Sequence, residues 1–208
     1  LIVLFVFSFL VALGLYFMND KTIEESIRLG LFYVVSIVTT TGFFTTNFML
    51  WGYVLSTIIV FLMLFGASSA SSSGGVKIIR IRLILKNSFN VFKRFVHPNA
   101  ILPVRFNNML VPISIMNNVF TFFLMYIFIA VVGILVMTCI NISFGDSIII
   151  VLSSLGNIGY GTGSDLYSLH SFSSLPYSGK WFLSALMLIG RLEIFAFFVL
   201  FTRSFWKK

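Results

Sequence analysis

Residues 153–163 read SSLGNIGYGTG and follow the apolar run SIIIVL directly. Glycines, hydroxyls and an amide come together here, in a neighbourhood that would otherwise dissolve in lipid. Glycine leaves its main chain bare and adopts φ > 0 freely, which other residues do only at a cost. The problem posed by the stretch is why such an apolar chain should carry a segment whose main asset is exposed backbone.

The composition around it is that of a membrane protein. Of 208 residues, 59% are hydrophobic and 10% are charged, and a mean hydropathy of +1.05 lies outside the soluble range. The apolar segments 1–18, 48–66, 119–140 and 181–201 approach the ~20 residues that cross a bilayer. Apolar sequence starts at Leu1 without the basic n-region or cleavage site of a signal peptide, so we expect a piece cut in or just before a first membrane helix. The single cysteine, Cys139, excludes an internal disulfide and a thiolate cluster. His97 and His170 stand alone, so no metal site assembles from these parts.

Charge orients the segments. Lys77, Arg80, Arg82, Lys86, Lys93, Arg94 and Arg105 lie in one stretch without an acid, and Arg203, Lys207 and Lys208 form a second group. Between membrane segments such an excess marks the cytoplasmic side and not a nucleic-acid surface. With residues 77–105 and the C-terminus inside, Asp20, Glu24, Glu25, Asp146 and Asp165 fall outside. Residues 76–96 then either lie on the anionic inner leaflet or continue a helix into the cytoplasm as a dock. Trp181 and Trp206 fit interfacial positions at the two ends of the last segment.

The decisive length is that of residues 144–155. Twelve helical residues reach roughly 18 Å, too short for a ~30 Å hydrocarbon core. The topology also returns this segment to the side it left, so it reads as a re-entrant pore helix. Residues 22–38 occupy the same place earlier in the chain. Thr22 with Glu25 fits a capping box, and Ser143 with Asp146 does so loosely. The chain is therefore a repeat of helix, pore helix, glycine turn and helix, with Gly42 and Gly159 in corresponding places 117 residues apart (159 minus 42). Such repeats are typical of transporters. The expected fold is an all-α integral membrane protein of two potassium-channel-like units. Unit 1–96 has helix 1–18, pore helix 22–38, filter 39–45, helix 48–66, loop 66–75 and a basic extension. Unit 97–208 has helix 112–140, pore helix 144–155, filter 156–163 and helix 180–206.

Non-helical backbone at membrane depth is tolerated only inside protein or along a watery cavity. There its carbonyls can replace the water shell of an alkali cation, as in the filter sequence TVGYG. NIGYG (157–161) departs from that sequence at its first two positions, whereas TTGFF (40–44) keeps the Thr, the Gly and a following aromatic. The candidate filter residues are Thr40, Thr41, Gly42, Phe43, Asn157, Ile158, Gly159 and Tyr160, with potassium held by carbonyls of Thr41, Gly42, Ile158 and Gly159. Both pore helices aim their negative C-terminal ends at the filter, and the outer acids raise local cation concentration.

TTTGFFTTNF (39–48), SSASSSGGVKIIR (68–80), GNIGYGTG (156–163) and LMLIGRLEIF (186–195) together resemble the Trk/Ktr/HKT superfamily of potassium transporters, in particular its bacterial TrkH-type membrane subunit. An Arg and a Glu inside one membrane helix make the last motif the most specific. The resemblance implies potassium uptake across the cytoplasmic (inner) membrane, with no enzymatic activity and no cofactor in this chain. Family members carry four units around one pore, and this chain looks like the third and fourth. Either the N-terminal units lie outside this chain or two copies associate.

GASSASSSGG (66–75) reads from its residues alone as a flexible linker or as a loop within the membrane. A helix over 48–66 would span about 28 Å and favour the linker. The resemblance instead implies a gate at Gly66, Ser68, Ser69, Ser71, Ser72, Ser73, Gly74 and Gly75. Arg191 lies about 16–18 Å from both Lys180 and Arg203 along a continuous helix, near the bilayer midplane. Glu193, two positions on, points nearly the opposite way. The resemblance places Arg191 in the permeation path as part of the gate. It also implies a homodimer and a separate cytoplasmic ring of RCK/KTN-type regulatory subunits, the only route for nucleotide control. Two alternatives remain: sodium or mixed cation translocation by the same fold, and a non-transporting membrane subunit. An intramembrane protease is disfavoured, because GTGSD (161–165) sets a Ser between the second Gly and the Asp, so the GxGD motif fails, and no Ser–His, paired Asp or metal set accompanies it.

Overall fold

The computed structural model describes residues 2–19, 21–66, 74–97, 103–106, 109–160, 172, 175–192, 194–199 and 202–206. Helix α1 (Ile2–Met18) is apolar throughout and packs along α2 (Ile23–Val38). Their approach depends on Gly30, where a Cβ would lie 2.9 Å from the Ser8 carbonyl oxygen. At the start of α2, the Thr22 hydroxyl accepts a hydrogen bond from Glu25 N at 3.3 Å, and Lys21 pairs with Glu25 at 2.6 Å.

In the second unit, α5 (Ile113–Cys139) packs against α6 (Phe144–Leu155), and α6 against α7 (Tyr177–Arg191). Ser143 caps α6 by accepting from Asp146 N at 3.2 Å while donating to the Asp146 carboxylate at 2.7 Å. Acids thus sit at the positive N-terminal ends of both α2 and α6, where the helix dipole favours them. Among the described residues, α5 is the one helix long and apolar enough to cross a membrane by length and composition.

Two of the apolar segments are broken. Residues 48–66 do not form one helix: a 3₁₀ turn, Phe48–Trp51, is followed by Gly52 at φ +95° and then by α3, Tyr53–Met63. Ser56 Oγ donates to the carbonyls of Phe48 and Gly52 and fixes the break. Eleven helical residues rise only about 16 Å. The length argument for a linker beyond the membrane therefore fails. Strand β1 (Phe65–Gly66) follows α3 almost at once and pairs in parallel with β2 (Val76–Lys77).

The expected helix 180–206 is also interrupted. Helix α7 ends at Arg191, the Leu192 amide bonds back to Leu188 O, and α8 (Ile194–Val199) and α9 (Arg203–Trp206) follow. Gly190 weakens the helix by roughly 1 kcal/mol relative to Ala, and a charged residue sits on either side of Leu192 in the sequence.

The main core spans both units, with Leu15, Tyr33, Ile37 and Ile59 in one cluster with Ile150, Leu155, Tyr160 and Leu186. Helix α3 touches α6 directly. The solvation pattern is inverted relative to a soluble protein. Phe5, Phe9, Phe17, Phe128 and Trp181 point outward, while Ser36, Ser147, Ser153 and Ser154 are buried. Such an exterior suits hydrocarbon as solvent. Helix α4 (Ile78–Val96) carries the basic stretch and packs Leu83 against Met116 and Val119 of α5, beside the hairpin of β3 (Arg105–Phe106) and β4 (Met109–Leu110).

Candidate functional site

Both glycine turns are hung from their own pore helices by the same hydrogen bonds. Thr41 N and Gly42 N bond to Ser36 O at 2.9 and 3.4 Å, and Ile158 N and Gly159 N bond to Ser153 O at 2.8 and 3.5 Å. One residue earlier, Thr40 N reaches Ile37 O and Asn157 N reaches Ser154 O, each at 3.0 Å. The left-handed positions also match: Thr40 φ +56° with Asn157 φ +57°, and Gly42 φ +75° with Gly159 φ +82°. A β-branched residue at positive φ is a genuine outlier, so the hydrogen bonds overrule local preference at Thr40.

Serine completes each turn. Ser36 Oγ donates to Phe43 O at 2.8 Å, whereas Ser153 Oγ accepts from Tyr160 N at 2.5 Å. Among the described residues, the carbonyls of Thr41, Gly42, Ile158 and Gly159 accept no hydrogen bond. Four strong acceptors thus stand beside the negative ends of two half-length helices. Carbonyl oxygens and helix C-terminal ends both carry negative partial charge. Among the described residues no cluster of three His, Cys, Asp or Glu is placed to hold a metal.

The two turns meet. A Cβ on Gly42 would overlap the Ile158 carbonyl oxygen, whereas one on Gly159 would find nothing within 4 Å. Behind them the Phe44 and Tyr160 rings lie 4.3 Å apart, Phe48 and Tyr160 4.8 Å, and Tyr33 and Trp51 4.5 Å. The Tyr33 hydroxyl donates to Thr46 O and accepts from Thr46 N, tying the end of the first turn to α2.

Among the candidate gate residues, Gly66, Gly74 and Gly75 are placed, and Ser68, Ser69, Ser71, Ser72 and Ser73 lie outside the described residues, as do Asp20, Asp165 and Glu193. Gly66 and Gly74 approach so closely that a Cβ on Gly66 would overlap Gly74 O. Gly74 in turn lies against the second turn, where its Cβ would be 2.5 Å from Gly156 O and 2.9 Å from Asn157 Nδ2. Arg191 is the exposed last residue of α7. Its neighbour Gly190 sits so close to the end of α6 that a Cβ would overlap Leu155 O.

Sequence reasoning missed Ser36, Ser153, Tyr33 and Gly190. The serines carry a readable signal, since both units have Ser seven positions before the aromatic of the turn, Ser36 to Phe43 and Ser153 to Tyr160.

Comparison with known proteins matches this architecture. The TrkH family, described as cation transport proteins, covers residues 1–208. TrkH of Escherichia coli K12, a Trk system potassium uptake protein, is 34% identical over 88% of this chain and 37% of its own length. Its counterpart in Halomonas elongata is 35% identical over 95% of this chain and 40% of its own length. The crystal structure of the potassium transporter TrkH from Vibrio parahaemolyticus superposes with a TM-score of 0.88 at 31% identity, covering 98% of this chain and 43% of that one. The chain thus spans about two-fifths of the relatives it matches. Its fold is the all-α membrane fold of pore-helix units seen in that transporter. The chain belongs to the TrkH family of cation transport proteins.

Proposed function

We propose that this chain supplies two pore units of a protein that takes up potassium across the cytoplasmic membrane. The ion sheds water and is held by carbonyls of Thr41, Gly42, Ile158 and Gly159, in turns that also comprise Thr40, Phe43, Asn157 and Tyr160. The observation carrying this reading is that these four carbonyls accept no hydrogen bond among the described residues, in two turns of one backbone form that touch at Gly42 and Ile158. A carbonyl left without a donor is costly unless something else satisfies it. The names of the matched relatives, potassium uptake proteins of a Trk system, support potassium as the ion and further subunits in the assembly.

Two turns make half a ring. The exposed Phe43, 69% accessible, and the groove lined by Leu31, Val35, Thr41 and Phe43 support a further pore unit packed on that side. The open space beside Gly159 supports another on the far side. Gating falls to the loop 66–75 and to Arg191. A short α3 that ends at Gly66 supports a loop within the membrane, and a guanidinium near the ion path repels a passing cation. Residues 77–105 and the C-terminus face the cytoplasm, where RCK/KTN-type regulatory subunits dock on a homodimer.

The test is cation flux into liposomes carrying the full-length transporter. Potassium enters in preference to sodium, and Arg191→Ala raises flux or weakens gating while the protein stays folded. Equal sodium and potassium flux would sink the filter assignment. Loss of folding in Arg191→Ala would make that residue a structural partner instead of a barrier.

A further inference from the structure

We propose that the Asn157 side chain is a positioning residue that registers the Gly74 backbone ahead of β2 and the end of α7 against the second turn, so that movement of either reaches the Ile158 carbonyl. This rests on the filter reading above and goes beyond it, because it concerns the amide side chain and not the backbone.

The backbone of Asn157 is fully specified by α6: its N–H bonds Ser154 O, and the next N–H bonds Ser153 O. The side chain takes no part in shaping the turn. It is instead wedged between two glycines from distant parts of the chain. A Cβ built on Gly74 would lie 2.9 Å from Asn157 Nδ2, and one on Gly190 would lie 2.8 Å from the same atom. The same two glycines cover the last carbonyls of the pore helix, Gly74 over Gly156 O and Gly190 over Leu155 O. Three backbones therefore converge on one amide, one leading from the loop, one leading to Arg191 and one carrying the filter.

Asn157 Nδ2 is buried there and has no hydrogen-bond partner. Asn suits the left-handed φ of +57° here, but that preference does not require its amide donor to be buried without a partner. The donor has a use if the Gly74 or Gly190 backbone takes a second position about an ångström away, where a carbonyl comes within bonding reach. The arrangement described here and the displaced one are then two states of one element, which the amide biases toward the displaced one. The first turn lacks this device: its corresponding residue is Thr40, which carries no amide.

The experiment uses the full-length transporter in liposomes, with potassium flux, potassium-over-sodium preference and thermal unfolding measured together. Asn157→Leu removes the donor, with a bulkier apolar side chain held at φ +57°. It favours the described arrangement, so flux changes by about tenfold, equivalent to ~1.4 kcal/mol, while ion preference stays within about twofold and the protein stays folded. Asn157→Thr installs the residue that the first unit carries at the same φ, so it folds, and it moves flux in the same direction. Wild-type flux in both Asn157 variants overturns the proposal. Ion preference lost together with flux overturns it too, since the side chain would then belong to the ion site itself. A wild-type protein that passes no potassium instead defeats the underlying filter reading, whatever the variants do.

Discussion

The two turns share a backbone and almost nothing else. In the first, hydroxyls hold the turn from outside: Thr39 Oγ1 donates to Val35 O at 2.6 Å and lies 2.7 Å from Thr41 Oγ1. In the second, Gly156 and Ile158 occupy those places, and support comes from buried groups. Tyr160 is 1% accessible, while its counterpart Phe43 is 69% accessible. The difference teaches that the carbonyl geometry is set by the pore helix and the glycine, while side chains adapt each turn to its neighbours. The first turn presents an open flank, and the second is enclosed by Gly74, by Gly190 of α7 and by the Phe44 and Phe48 rings of unit one.

The largest effect expected from this comparison is at Gly42. Gly42→Ala combines strain at φ +75° with overlap onto Ile158 O, and backbone strain alone costs on the order of 1–3 kcal/mol. Potassium uptake by the full-length transporter falls by more than about tenfold, and ion preference is lost. Gly159→Ala meets open space here. If a ring of four turns closes in the full-length protein, Gly159→Ala is nearly as damaging. A mild Gly159→Ala phenotype would break the equivalence of the two turns and the ring with it.

Next come the serines. Ser153→Ala strips the acceptor from the buried Tyr160 N–H, which costs about 1–3 kcal/mol. Ser36→Ala removes one donor from Phe43 O beside an exposed ring, which costs about 0.5–1.5 kcal/mol. Thermal unfolding of the two variants in one detergent ranks them, and equal losses would show that enclosure of the second turn does not matter. A smaller contrast lies in the tyrosines. Tyr33→Phe cuts the bonds to Thr46 and costs about 1–2 kcal/mol. Tyr160→Phe gives up a 3.4 Å contact with Asn47 Oδ1 and stays below ~0.5 kcal/mol.

The smallest effect is electrostatic. Asp146→Asn lowers uptake less than about twofold, and only at low ionic strength, because the Debye length is ~10 Å at 0.1 M salt. Glu24→Gln at the corresponding helix start behaves alike. A deficit that persists at high salt would mean that these acids act through structure and not through their field.

Local features were legible in the sequence. The starts of α2 and α6 show in Thr22 with Glu25 and Ser143 with Asp146, and the turns show in Gly42 and Gly159. What depended on distant contacts was not. The breaks at Gly52 and Leu192 hide inside apolar runs, because hydropathy reports solubility and not helix continuity. The pairing of Phe65 with Val76 crosses residues that carry no strand pattern. The contact of Gly42 with Ile158 spans the two units, and nothing at either position announces it. The serine signal was present at both sites but visible only once the two units were aligned.

Among the described residues, the hydrogen bonds that bend the Thr41–Gly42 and Ile158–Gly159 backbone come from the seven residues before it, on the same pore helix. Each turn is therefore a local unit, its bend set by one short run of consecutive residues. TTTGF and GNIGY differ at most positions, yet both keep a serine upstream and a glycine at the left-handed position. Biogenesis inherits the same advantage: each quarter can set its own bend as it leaves the translocation machinery, before its neighbours have been made.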